Sequence, residues 1–406
     1  MTSTTTEAPA GLSTDHSRAV LDGDHSHGGG VPDSSRADRL TSFDAEAFSI
    51  PTGREEDWRF SAIRDLQPLF AATAEDGELT WAASALPEGV TLTQIGAEQA
   101  QVRSVRAPGD RAAAVAVSAA NGAKALIVAP GTVVADPITL DLTGNGAQAR
   151  GHLLFEVGEG AQATIVVTRR GSATYSEFIS VDVADGASLN LVLLQQWDDD
   201  AVHAGEVVAR LGRDAHLRGS VATLGGKVVR LNTSAAFAGE GGRVDLSGLY
   251  FTDDGQHQEH QLFVDHAAPR CTSRVTYKGA LAGTTARSVW IGDVLIRAQA
   301  EGTDTYELNR NLLLTDGARA DSVPNLEIET GEIEGAGHAS ATGRFDDEQL
   351  FYLRARGIDE DTARRLVLRG FFAELIGAIG VPDVQARLLA AIDAELDMVA
   401  EHEDSE

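Results

Sequence analysis

Cysteine is almost absent from this sequence: Cys271 is the only one in 406 residues. A single thiol excludes an internal disulfide framework and is typical of a protein that works in a reducing compartment. It also excludes a zinc or iron–sulfur site built on four cysteines of this chain alone. Any such group held here would therefore take ligands from a partner.

Positive charge and long apolar runs are also scarce. The chain has 33 Lys and Arg against 61 Asp and Glu, a formal net charge of −28. This acidity disfavours nucleic acids and anionic membranes as partners. No run of about 18 apolar residues could span a bilayer, and residues 1–7 lack the basic start and apolar stretch of a secretory signal. We therefore expect a cytoplasmic protein that binds neither nucleic acid nor membrane.

The common catalytic motifs are missing. The string closest to a phosphate-binding loop, residues 225–228, has neither its spacing nor the hydroxyl that would meet magnesium. A Gly-x-Ser-x-Gly nucleophile elbow does not occur either. We therefore expect no catalytic residues and no ATP hydrolysis by this chain.

Glycine, in contrast, is abundant, with 42 residues, while aromatic residues make up only 5%. Between residues 100 and 340, short alternating runs follow turn signals at Gly131, Gly160, Gly186, Asp214 and Gly241, spaced by 29, 26, 28 and 27 residues. Strands repeated at this interval, with no helical pattern between them, predict a solenoid. We interpret residues 115–117 as one such strand.

Two other repeat or β architectures compete with this interpretation. Leucine-rich repeats fit poorly because the regular Leu/Asn spacing is missing. A β-sandwich is the main alternative, but its turns are usually closer together and less periodic. The sequence therefore favours a mainly β fold with a parallel β-helix core.

Composition divides the chain into five parts. Residues 1–48 are polar and predict a disordered tail. Residues 49–100 predict a small N-terminal helical domain, residues 101–343 the β-helix core, and residues 344–398 a C-terminal helical domain suited to docking a partner. Residues 399–406 form an acidic tail.

The C-terminal domain is predicted to contain three helices. The first begins at Asp346 and stops at Gly357. The second is capped by Asp359, runs to about Leu375 and buries one apolar face. The third runs over residues 384–398, after a break at residues 380–382. The apolar face of the second helix would comprise Ala363, Leu366, Val367, Phe371 and Leu375.

A few side chains could bind metal or sulfur. His257 and His260 are three apart on a predicted strand and would face opposite sides, so we interpret them, with His266, as polar residues on a solvated or interface surface. Cys271 is either a buried thiol or a cluster or sulfur ligand. His338 lies among small residues, where a partner could approach closely, and iron accepts imidazole nitrogen.

Four stretches of the chain resemble the SufB/SufD family of the SUF iron–sulfur cluster assembly pathway, and the resemblance extends over about residues 50–396. The third stretch is the most specific because of its length. The stretches are Arg54–Phe60; Val264–Ser273 with Tyr277–Gly279; His338–Gly343 with Gln349–Ile358; and Asn309–Leu314 with Pro324–Ile328.

The resemblance implies a right-handed parallel β-helix between helical ends, acting as a scaffold and not as an enzyme. It implies a heterodimer of SufB and SufD, with the SufC ATPase docked on the C-terminal helices, here residues 347–398. A transient iron–sulfur cluster would form at the SufB–SufD interface and pass to carrier proteins. The full complex could also hold a flavin.

Within the family, the chain resembles the SufD branch. SufB-type chains carry a cysteine in the segment that reads Glu307–Asn311 here, and this chain has none. SufD-type chains place a histidine at the position of His338, which the resemblance makes an iron or cluster ligand. Some of them also have a cysteine where this chain has Ala336.

Three other functions remain open. The chain could be SufB-like, although the missing cysteine opposes this. It could be a purely structural binding module without an iron ligand. A β-helical carbohydrate-active enzyme is the third, but the scarcity of aromatic residues for sugar stacking counts against it.

Overall fold

The computed structural model describes residues 36–73, 77–345 and 347–403. Strands dominate, stacked in about eight turns of a parallel β-solenoid with small helical regions at its ends. The predicted β-helix core is therefore confirmed. Among the described residues, no helix combines the length and hydropathy needed to cross a bilayer.

Eighteen strands occur in the described residues, most of them ten residues long. Their bounds are β1 Thr80–Ala83, β2 Val90–Ile95, β3 Ala123–Val128, β4 Ile138–Thr143, β5 Gln148–Val157, β6 Gln162–Gly171, β7 Thr174–Val183, β8 Ser188–Trp197, β9 Val202–Leu211, β10 His216–Leu224, β11 Val228–Phe237, β12 Arg243–Thr252, β13 His257–His266, β14 Thr272–Leu281, β15 Arg287–Ile296, β16 Asp304–Leu313, β17 Arg319–Ile328 and β18 Gly335–Arg344.

These strands form two sheets, and each coil of the solenoid gives one strand to each. Sheet 1 has the order β1-β4-β6-β8-β10-β12-β14-β16-β18, and sheet 2 the order β17-β15-β13-β11-β9-β7-β5-β3-β2. Neighbours pair in parallel, except that β1 on β4 and β2 on β3 are antiparallel. The main core lies between the two sheets.

The two-residue period of each strand decides which side chains enter this core. In β8, Leu189, Leu191 and Leu193 belong to the core between the sheets. The turns follow from glycine: Gly160 and Gly186 have φ of 63° and 65°, a left-handed conformation that glycine adopts without strain. Each coil needs one such turn, so the spacing of these glycines predicts the number of residues in a coil.

One predicted strand is a helix. Residues 115–117 lie within α3, Arg111–Ala119, whose first turn is capped by the Asp110 side chain accepting from the backbone N–H of Ala113. The prediction was wrong because alternating Val and Ala also fit a helix in an alanine-rich segment, where helix propensity is high.

The N-terminal region contains more regular structure than we predicted. Within 49–100 lie α1, Ile63–Leu66, and most of α2, Ala97–Arg103, but also β1 and β2, which the sequence did not lead us to expect. Trp58 is buried and meets Phe70 edge-on, with ring centroids 5.2 Å apart. Short 3-10 helices flank these elements, at Arg36–Asp38, Ala45–Ala47, Glu56–Trp58 and Gln67–Phe70.

The predicted disordered tail falls into two parts. Residues 1–35 lie outside the described residues. The remaining part, 36–48, holds two of the short 3-10 helices, and Arg36 donates to the side chain of Gln261 on β13 at 2.8 Å. This part is therefore ordered against sheet 2, contrary to the prediction.

Three C-terminal helices follow β18: α4 Asp347–Arg354, α5 Glu360–Ala378 and α6 Pro382–Glu403. Asp359 caps α5 as predicted, by accepting from the backbone N–H of Thr362. Pro382 begins α6 instead of ending a break, because proline suits the first helical position. Part of the predicted acidic tail, residues 399–403, continues α6.

The helices pack on the outer face of sheet 1. Leu368 and Phe372 of α5 and Leu388 of α6 form a second core with outward residues such as Val192 and Leu194 of β8. The predicted apolar face of α5 was partly wrong, since Leu366 is exposed. The buried face of α5 is rotated by a fraction of a turn from the predicted one.

Candidate functional site at the open end of the solenoid

The last coil leaves two long strand edges without a partner. Within the described residues, β17 has only β15 as a neighbour in its sheet, and β18 has only β16. Both strands are ten residues long, and most of β18 is exposed. Backbone N–H and C=O groups along such edges are free to pair with another chain.

His338 lies on this last strand, on its inner side. It pairs in register with Glu307 of β16. Residues paired in register on parallel strands project from the same face of the sheet, and neighbouring strands are about 4.8 Å apart. Glu307 faces the interior, so His338 lies one rung above it. The imidazole is exposed because no further coil covers it.

Glu307 lies in a confined space. Its side chain is 1% exposed, and neither carboxylate oxygen has a hydrogen-bond partner among the described residues. A Cβ added to Gly292, across the interior on β15, would lie 2.9 Å from its Oε1 and 2.4 Å from the Trp290 ring. Burial raises the pKa of Glu307 to about 8, although the charge of Arg36 opposes the shift.

Polar side chains continue along the inner face of β16, two and four residues beyond Glu307. The Tyr250 hydroxyl donates to Asn311 Oδ1 at 2.5 Å, and Ser322 Oγ donates to Asn309 Oδ1 at 2.7 Å. Trp290 is fully buried, yet its Nε1 has no partner among the described residues. The interior near the open end is therefore polar.

The predicted histidine group does not gather into a site. His257 is half-buried on the outer side of β13, whereas His260 and His266 point into the solenoid. His260 Nε2 lies 2.9 Å from Thr223 Oγ1, and His266 Nε2 lies 2.9 Å from Ser273 Oγ. Burial lowers the pKa of both rings to about 4. The interpretation of these two as surface residues was therefore wrong.

Cys271 is fully buried, and its Sγ lies 3.4 Å from the carbonyl oxygen of Pro269. Burial raises the pKa of this thiol. A neutral, enclosed thiol is a poor nucleophile and a poor metal ligand, which favours the structural alternative. In the part of the chain that the structure describes, no three His, Cys, Asp or Glu side chains are grouped as a metal site.

A buried ion pair inside the solenoid was also missed. Arg169 of β6 and Glu177 of β7 lie 2.6 Å apart, both within the interior, and His203 lies 3.2 Å from the same carboxylate. Although burial alone would raise it, Arg169 and His203 lower the pKa of Glu177 to about 2. The available signal was an arginine at an inward position, after Ile165 and Val167.

Comparisons of the sequence with known proteins cover most of the chain. A family model described as "SUF system FeS cluster assembly, SufBD core domain" matches residues 140–371. An iron–sulfur cluster assembly SufBD family protein of Mycobacterium bovis is 51% identical over 372 residues, 89% of this chain and 94% of the relative. One of Mycobacterium leprae is 49% identical over 365 residues, 88% and 93% of the two chains.

A more distant relative is named for one branch. The iron–sulfur cluster assembly protein SufD of Escherichia coli is 30% identical over 257 residues, 62% of this chain and 60% of the relative. The residues matched by the family model run from β4 into α5, and they include both His338 and Glu307.

Proposed function

Because the chain belongs to the SufB/SufD family of the SUF iron–sulfur cluster assembly system, we propose that it is a SufD-type scaffold subunit without catalytic activity of its own. In this proposal it works in the cytoplasm and pairs with SufB, and a nascent cluster or its iron is held at the junction. The observation that carries the proposal is the position of His338 on the inner side of the last, uncovered coil.

The unpaired edges of β17 and β18 are the surface for SufB. Natural proteins usually shorten, charge or cover an exposed edge strand, since it otherwise pairs with other chains. Here two ten-residue edges are open, and β18 carries mostly small side chains, such as Gly337, Ala339 and Ser340. A relative with the same kind of solenoid end can add its strands to these edges.

His338 supplies one ligand, and the partner supplies the others. A single imidazole cannot hold a cluster, but an imidazole facing thiolates of a second chain can. The cluster is cargo in this scheme: it forms at the junction and passes to carrier proteins. A flavin, if one takes part, is held by the full complex.

The C-terminal helices are the surface for SufC, which supplies ATP hydrolysis. Phe351 and Tyr352 of α4 are 74% and 56% exposed, and Leu366 of α5 is 46% exposed. Large apolar side chains grouped at a surface are typical of contact sites for another protein. The proposed docking surface lies within residues 347–398.

The test is co-expression with SufB and SufC and anaerobic purification, followed by iron and sulfide analysis of wild type and His338→Ala. The matched control is Ser340→Ala, because Ser340 is exposed and lies two residues further on the same face of β18. We expect iron and sulfide to fall by more than about half in His338→Ala alone, since a lost ligand opens the coordination shell.

Each other outcome contradicts a different part of the proposal. Unchanged loading in His338→Ala would remove the ligand role and leave a scaffold without an iron ligand. Failure of the wild-type chain to form a complex with SufB would contradict the scaffold function itself.

A further inference from the structure

Glu307 lies directly beneath His338, and we propose that its carboxylate is a second ligand from this chain. Together the two side chains form a half-site for ferrous iron, with one imidazole nitrogen and one carboxylate oxygen. The inference rests on the proposed function, because it extends the site of His338.

Position is the first argument. Glu307 and His338 project from the same face of adjacent strands, about 4.8 Å apart along the sheet. By the two-residue period, Glu307 is the only carboxylate among the inward residues of β15 to β18. The one buried acid of the open end therefore lies on the rung next to the exposed imidazole.

The second argument is the lack of a direct partner for the carboxylate. Three other carboxylates buried in this chain have an arginine nearby: Glu177 lies 2.6 Å from Arg169, Glu206 lies 2.9 Å from Arg106, and Glu259 lies 3.2 Å from Arg230. Glu307 has neither an ion pair nor a hydrogen bond among the described residues. Burying such a group is costly unless something compensates it, and a bound cation would do so.

The third argument is space. Gly292 faces the carboxylate, and any larger residue there would collide with Trp290 and crowd Oε1 at 2.9 Å. On the inner face of β18, the neighbours of His338 are Ala336 and Ser340, which are small enough to leave room for a metal ion and for a partner's ligands. To reach the next rung, the Glu307 side chain has to rotate its carboxylate away from Gly292.

The donor set is compatible with ferrous iron, and the proposed function selects this ion. Imidazole and carboxylate donors suit ferrous iron, and sites that combine them leave coordination positions open for further ligands. Those open positions are where thiolate or sulfide would bind when a partner covers the end of the solenoid.

The experiment is an anaerobic calorimetric titration of the full chain alone with Fe²⁺, comparing wild type, Glu307→Gln, His338→Ala and the double variant. Glu334→Gln is the matched control, since Glu334 is an exposed acid four residues before His338. We expect Glu307→Gln to weaken Fe²⁺ binding by about tenfold or more, because even outer-shell partners of a metal contribute about 10–100-fold. The double variant should bind Fe²⁺ more weakly than either single variant, because it keeps neither ligand of the half-site.

Folding is checked separately, because Glu307 is buried. Thermal unfolding of Glu307→Gln should show no loss of stability relative to wild type. Glu307→Met, which fills the same space without charge or ligand oxygen, gives a second measurement and should also lose Fe²⁺ affinity.

The outcomes separate the two proposals. If Glu307→Gln and Glu307→Met bind Fe²⁺ like wild type while His338→Ala does not, the role of Glu307 is wrong and that of His338 stands. If both Glu307 variants weaken binding and His338→Ala does not, the shared half-site is wrong. If none of the variants changes binding, the chain has no iron ligand at either position.

Discussion

The two ends of the solenoid are built differently. At the N-terminal end the sheets finish in β1 and β2, of four and six residues, which run antiparallel to their neighbours. At the C-terminal end they finish in β17 and β18, of ten residues each, which continue the parallel stack. Short edges resist pairing with other chains and long edges invite it. This difference supports the proposal that the second end, and not the first, is the surface for a partner.

The interiors of the two halves of the solenoid differ in how their buried carboxylates are paired. In the N-terminal half, the buried charge of Glu177 is matched by Arg169. Near the C-terminal end, Glu307 is buried without such a match. Removing one partner of a buried ion pair is strongly destabilising, and a buried carboxylate without a partner costs stability whenever it is charged.

The largest expected effect comes from breaking the matched pair. Arg169→Met leaves Glu177 charged and uncompensated inside the solenoid, and should lower the free energy of unfolding by about 3–5 kcal/mol. Urea denaturation measures this. The double variant Arg169→Met/Glu177→Leu should recover much of the loss, because it removes both charges. A loss below about 1 kcal/mol in the single variant would show that the pair does not compensate as we argue.

The difference between the edges can be tested by placing one lysine at each end. Ser340→Lys on β18 places a charge where SufB would cover the last coil, and should weaken the SufB complex by about 100-fold, or about 2.7 kcal/mol. Thr93→Lys on the exposed surface of β2 is the matched control and should leave SufB binding unchanged. Titration of each variant with SufB gives the dissociation constants. Equal effects at both ends would contradict the assignment of the partner surface.

A smaller effect is expected at the C-terminal helices. Phe351→Ser should weaken SufC binding by about tenfold, or about 1.4 kcal/mol, while stability changes by less than about 0.5 kcal/mol. Val102→Ser on α2 is the control, because Val102 is also highly exposed, at 81%, but lies in the N-terminal region. Co-purification of each variant with SufC at graded concentrations compares their SufC binding. A large loss of stability in Phe351→Ser would mean that the ring supports the fold.

The coils were predictable because each needs a turn, and glycine marks that turn, as at Gly160 and Gly186. The strands β1 and β2 were not predicted, since they are short and largely exposed, and only their pairing with β4 and β3 defines them. Sequence alternation shows two faces of a strand but does not say which one is inside. That is why His260 and His266 were assigned to a surface.

The candidate site was predictable only in part. His338 stood out through its small neighbours and through the family resemblance. Glu307 was missed because the segment 307–311 was inspected for a cysteine, whereas the informative signal was an acid at an inward position of β16, between Thr305 and Asn309. Glu307 becomes significant because it pairs in register with His338, and only the structure shows this pairing.

The smallest effect we expect is a pH dependence of stability from the buried histidines of the C-terminal half. Burial lowers the pKa of His266 to about 4, although the charge of Asp304 opposes the shift, while the unfolded ring titrates near pH 6.5. The unfolded state therefore binds a proton first, and stability is lost as pH falls from 6.5 towards 4. At pH 5.5 the loss is roughly 1 kcal/mol for this ring, and His260, whose shift is opposed by Glu259, behaves alike.

Urea denaturation of wild type and His266→Gln at pH 7.5 and pH 5.5 isolates the share of this ring, and the change between the two pH values should differ by about 1 kcal/mol between the two proteins. The variant is needed because burial raises the pKa of Glu206 to about 7 and that of Glu307 to about 8, and these groups change stability in the opposite direction as pH falls, equally in both proteins. Carboxylates with lowered pKa, such as Glu177 and Glu259 at about 2, lose stability only below about pH 4.5 and do not contribute in this window. A difference between the two pH values that His266→Gln leaves unchanged would mean that His266 is not neutral and buried in the folded protein. The polar interior near the C-terminal end would then be accessible to water in the folded protein.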